Sequence, residues 1–145
     1  MNDNRHNPVP PVATWLGRAG LLPFIASPLA IYFDPRHAQL IGQVTGSYAL
    51  SIICFLVGIW WGLGLIRRRA SALLISNAVV LTAFFGHIGL STGVFLLLGA
   101  CLFAATVIVE RVHPLFQPQP PYYARLRAQL TAVATLSLVL SAIQL

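Results

Sequence analysis

The stretch from Tyr48 to Arg69, YALSIICFLVGIWWGLGLIRRR, constrains this chain most. As far as Ile66 it is apolar and uncharged, and three arginines then end it. About 20 apolar residues at roughly 1.5 Å each cross the hydrocarbon of a bilayer, so this stretch reads as a membrane-spanning helix. A soluble core is a poor alternative. Of the 145 residues, 57% are hydrophobic and 8% are charged, against about 25% charged in a soluble domain.

The same reading extends along the chain. Residues 1–11 are polar and proline-containing and predict a mobile tail. A first crossing over 12–33 is interrupted by Arg18, Pro23 and Pro28, which predicts a kink near Pro23. Its apolar core is short and Ala26-Ser27-Pro28 is a poor cleavage site, so a retained helix is favoured over a signal peptide. Further crossings are expected at about 46–66, 70–87, 90–109 and 126–145. The expected fold is therefore an all-α integral membrane bundle of five transmembrane helices in a single domain, 12–145.

Charge supports that count. Nine arginines, three acids and no lysine give a net charge of +6. With five crossings, Arg5, Arg18, Arg67, Arg68, Arg69, Arg111, Arg125 and Arg127 share one side, and Arg36 alone lies on the other. Positive residues accumulate on the cytoplasmic side, so the N-terminus is expected in the cytoplasm and the C-terminus in the periplasm of a bacterial inner membrane. Trp15, Trp60, Trp61, Tyr122 and Tyr123 fall near the arginine-rich face, as an interfacial belt would. Arginines placed at the ends of apolar runs are topology signals, and nucleic-acid binding is not expected.

Few constellations carry chemistry. Gly58-x-x-x-Gly62 and Gly89-x-x-x-Gly93 offer grooves for close helix approach, either within one bundle, the favoured reading, or toward a partner. Asn77 and Trp61 lie roughly 10 Å and 9 Å from the arginine turn by residue count, so the Asn77 carbonyl could accept from the indole N–H. Such a bond is structural, or it walls a ligand site. Glu110 is expected to pair with Arg111, Arg125 or the turn Arg67-Arg68-Arg69. His37 and His87 could share a metal or haem only without a spaced motif, and no metal site is expected. Cys54 and Cys101 read as buried free thiols. Nothing resembles a nucleophile with its base or a phosphate-binding loop, so no enzyme is expected.

LGRAGLLPF at Leu16–Phe24, Tyr48 with FLVGIWWG at Phe55–Gly62, Ser76-Asn77, and PPYYARLRAQLT at Pro120–Thr131 occur in that order. Together they resemble the family of uncharacterised small membrane proteins that includes transmembrane protein 69 of animal mitochondria and many proteobacterial relatives (domain of unknown function family 3429). The resemblance runs from Val12 onward and implies a five-helix inner-membrane protein. It puts Tyr48, Gly58, Trp61, Gly62, Asn77, Glu110 and Arg125 on family pattern positions. One departure is Trp60, which stands where relatives often have a basic residue. The family carries no reaction.

Two functional expectations follow. The first is a small inner-membrane interaction protein, an accessory or assembly subunit of a larger respiratory or energy-converting complex, surrounded by membrane lipids. The alternative is a binding protein for an apolar ligand such as a quinone, lipid or tetrapyrrole, with Tyr48, Trp60, Trp61 and Asn77 near the ligand. No cofactor is required by either, although bound lipid or quinone fits the second.

Overall fold

A computed structural model describes residues 11–118 and 121–145. These residues are all-helical, and five of their helical segments are long and apolar enough to cross a membrane. The tail expected at 1–11 lies, apart from Pro11, outside the described residues.

The first crossing is broken into α1 (Pro11–Ala19) and α2 (Leu22–Phe33). Pro23 causes the break, because its ring would clash with the carbonyl four residues earlier and it has no N–H to offer that carbonyl. The chain passes through a tighter turn instead, with Leu21 N–H donating to Arg18 O at 3.0 Å. The Gly20 carbonyl accepts from the Tyr48 hydroxyl at 2.9 Å. Tyr48 is thus a strut for the kink, with its ring 5.1 Å from that of Phe24.

After a short 3₁₀ turn at Pro35–His37, α3 runs from Ala38 to Ile66. It begins eight residues before the expected start at 46. Residues 38–45 are polar enough to resemble a connection, yet their side chains find partners inside the fold. Gln39 donates to Thr92 at 2.6 Å, and Thr45 Oγ1 lies 2.7 Å from Ser27 Oγ, itself 2.9 Å from Ser141 Oγ. That buried chain of hydroxyls ties α3 to α2 and to the last helix. With 29 residues, α3 is about 43 Å long at 1.5 Å per residue, which exceeds the roughly 30 Å hydrocarbon core.

Helix α4 (Ala70–Gly89) follows the arginine turn, and α5 (Thr92–Val112) follows Leu90 and Ser91. A second 3₁₀ turn, Pro114–Phe116, leads towards α6 (Pro121–Ile143). Helix α6 starts at Pro121 instead of 126, as proline suits the first helical turn, where an N–H would lack a partner anyway. The centre of the bundle is α3 against α5, with α4 packed on both, α6 on α5, and α2 between α3 and α6. Small residues make this possible: Ala49, Ala83, Ala100 and Ala134 are buried beside Phe24, Ile53, Leu96, Phe103 and Leu138. In a bilayer, close van der Waals packing of this kind holds helices together. Cys101, expected to be buried, is exposed on the outer face of α5.

The α3–α4 turn is a Schellman motif. Arg69 N–H donates to Gly64 O at 2.9 Å and Arg68 N–H to Leu65 O at 3.3 Å, with Arg68 at φ 53°. That left-handed position usually holds glycine. Arg68→Gly should therefore stabilise the fold by up to about 1 kcal/mol, read as a rise in the detergent melting temperature. No change, or a fall, would mean that the arginine side chain itself anchors the turn.

A buried carboxylate at the arginine-rich end

Glu110 lies in the last turn of α5, where a carboxylate faces the negative end of the helix dipole. It is also buried, at 5% exposure. Both conditions demand compensation, and α6 and α3 supply it. Arg127 Nε donates to Glu110 Oε2 at 3.0 Å and Arg127 Nη2 to Oε1 at 3.0 Å, a two-pronged pair. Such forks are the stronger form of carboxylate recognition. The Trp60 indole N–H donates to Oε1 at 3.0 Å. Thr106, one turn before Glu110, donates to Phe103 O at 2.7 Å, and its hydroxyl accepts from Arg127 Nη2 at 3.5 Å. One carboxylate therefore joins α3, α5 and α6.

Beside it is a cavity of about 250 Å³, lined by Leu56, Ile59 and Leu63 of α3 on one wall. Arg67, Glu110, Phe116 and Tyr123 contribute to the others. The roof is the 3₁₀ turn. It is held down by Arg67 Nη1 donating to Leu115 O, by the Phe116 ring 5.5 Å from Trp60, and by Gln117 donating to Arg111 O at 2.9 Å. His113 Nδ1 accepts from Leu115 N–H at 3.1 Å. That leaves the Nε2–H to donate to Ser71 Oγ at 3.0 Å, fastening the roof to α4. Ile59 remains 47% exposed, so the apolar wall reaches the flank of the bundle.

The residues singled out in the sequence are distributed unevenly around this site. Trp60, Glu110 and Arg67 belong to it. Trp61 does not meet Asn77. It points outward at 45% exposure, while the Asn77 amide donates to Leu73 O of its own helix at 2.8 Å. One residue is about 100° of helical rotation, which is why Trp60 faces in and its neighbour faces out. Among the described residues, the ion pair of Glu110 is with Arg127 and not with Arg111, Arg125 or the arginine turn; Arg125 is exposed, as are Arg68 and Arg69. Arg127 was legible in principle, because it precedes the buried positions Thr131, Ala134 and Leu138 at helical spacing.

The glycines also sort differently. A side chain at Gly58, Gly62 or Gly89 would meet nothing within 4 Å. Gly93 sits against the end of α6, with Ala142 O 3.6 Å from the position a Cβ would take. The tight contacts are at Gly17, Gly42, Gly46, Gly64 and Gly86, which the sequence reading passed over. At the far end, His37 bonds Asp34 at 2.7 Å and His87 lies 3.3 Å from Ser47. The two histidines thus serve separate contacts.

Comparison with curated proteins gives no match, and comparison with solved structures gives none. A family model described as "Protein of unknown function (DUF3429)" matches residues 9–143. An all-helical multi-pass chain matched over nearly its whole length by that model belongs to the DUF3429 family.

Proposed function

We propose that this protein is a membrane binding protein for an amphiphile whose polar head carries acceptor oxygens, an isoprenoid quinone being the class that fits best. The observation behind this reading is the cavity itself: a neutralised carboxylate, a guanidinium and a phenol at the end of an apolar wall. Ionisable groups inside a membrane protein mark functional sites more often than not. With Glu110 paired to Arg127 and one Arg67 N–H given to Leu115 O, the other Arg67 N–H groups and the Tyr123 hydroxyl can meet a carbonyl, and Leu56, Ile59 and Leu63 suit an apolar chain. At about 250 Å³ the cavity is smaller than the roughly 300–1,000 Å³ of pockets that enclose whole ligands. It suits a head group with its tail in the lipid, and disfavours a tetrapyrrole. Binding rather than catalysis is proposed, with the arginine-rich end in the cytoplasm of a bacterial inner membrane on the positive-inside argument.

The test is native mass spectrometry of the protein extracted in mild detergent, with a short-chain benzoquinone photoprobe as the defined ligand. Leu63→Trp should fill the cavity and lower probe labelling about tenfold, as would losing about 1.4 kcal/mol of binding. Tyr123→Phe should also weaken labelling. Equal labelling of wild type and Leu63→Trp would overturn the proposal.

A second reading has its own support. Gly58 and Gly62 leave an open notch on the outer face of α3, where a helix of a larger complex could seat. On that reading the protein is an accessory or assembly subunit, as the sequence suggested first.

A further inference from the structure

Helix α1 is amphipathic, and none of its residues is buried. Val12, Trp15 and Leu16 are 64%, 72% and 67% exposed and form a bare apolar stripe. Thr14 and Arg18, one turn apart on another side of the helix, instead line a groove against α6. The opposite wall is Tyr122, Arg125 and Gln129, again at helical spacing, and the groove holds about 660 Å³. Two guanidinium groups from different helices therefore share one concavity. Among the described residues, neither has a carboxylate or carbonyl partner. Two arginines lining one groove, with no carboxylate beside them among the described residues, suit an anion. The apolar stripe beside it suits lipid surroundings, and Tyr122 in the groove and Trp15 on the stripe suit the headgroup level.

We propose that Arg18 and Arg125, with Tyr122 and Gln129, bind the phosphate of an anionic phospholipid whose acyl chains run along the exposed face of α1. Arginine forks fit phosphate oxygens in two-pronged fashion. The Tyr122 hydroxyl and the Gln129 amide supply neutral donors for the remaining oxygens. The groove shares no lining residue with the cavity beside Glu110, so this site stands or falls independently of the quinone reading.

The experiment uses the full chain in phosphatidylcholine nanodiscs containing phosphatidylglycerol, with the lipids retained after release counted by native mass spectrometry. Wild type should retain phosphatidylglycerol over phosphatidylcholine by about thirtyfold, the scale expected of two basic groups near an anionic surface. The double variant Arg18→Gln/Arg125→Gln should lose that preference at unchanged helicity. Arg36→Gln, at the opposite end of the bundle, should keep it. Added inorganic phosphate should not displace the lipid; displacement would assign the groove to a free anion and overturn the proposal. Equal retention of both lipids by wild type, or an undiminished preference in the double variant, would also overturn it.

Discussion

Glu110→Ala is expected to cost the fold about 3–5 kcal/mol, because removing one partner of a buried pair leaves the other charge uncompensated. Here that charge is Arg127, which is 9% exposed. Arg127→Met should cost a similar amount from the other side. The double variant Glu110→Leu/Arg127→Met should recover most of the loss, since a buried pair replaced by well-packed apolar residues is often neutral or better. Recovery will be incomplete while Trp60 is present, because its indole N–H would then lack an acceptor, at about 1–3 kcal/mol. Adding Trp60→Phe should remove that residue of cost. The measurement is unfolding in mixed detergent micelles, with Glu110→Leu, Arg127→Met and their double variant compared as a cycle. Single variants that each cost less than about 1 kcal/mol, the range of exposed pairs, would show that water reaches the pair through the cavity.

The class and the number of crossings were legible because they depend on quantities that a sequence carries directly, namely the length of apolar runs and the positions of arginines. The arginine turn stops α3 where the text changes character, and Pro23 breaks the first crossing within a few residues of the expected place. Helix ends were less legible where polar side chains are satisfied internally: Gln39 and Thr45 belong to α3 because Thr92 and Ser27 come to meet them. The site was half legible. Glu110 is conspicuous as an acid at the end of an apolar helix, but which arginine turns toward it depends on the rotation of α6. Arg125 and Arg127, two residues apart, face different neighbours for that reason. The same holds for Trp60 and Trp61. Helix rotation follows from packing of all the helices at once, and a single apolar helix surrounded by lipid gives little amphipathic signal to fix it.

Glycine spacing illustrates that limit and leads to the second large effect. Gly64→Leu is expected to destabilise the fold by about 1–3 kcal/mol, the usual cost of overpacking. A Cβ at Gly64 would lie 3.2 Å from the Ala72 Cβ and 3.1 Å from a Leu73 methyl, with Arg69 O at 3.4 Å. The Ala72 Cβ and the Arg69 carbonyl cannot rotate away, so α3 and α4 would have to separate at the Schellman turn. Gly58→Leu, on the same helix and in the motif that reads most like a packing signal, should leave the isolated protein as stable or raise it by up to about 1 kcal/mol, the helix-propensity gap between glycine and leucine. Parallel melts of the two variants test this directly, and a loss at Gly58 matching that at Gly64 would refute the assignment of inner and outer faces of α3. The outward notch then acquires a separate meaning. If Gly58→Leu folds normally but no longer co-purifies with a larger assembly that wild type retains in mild detergent, the notch is a docking face. If wild type and variant are extracted with the same companions, the accessory-subunit reading loses the observation that favours it.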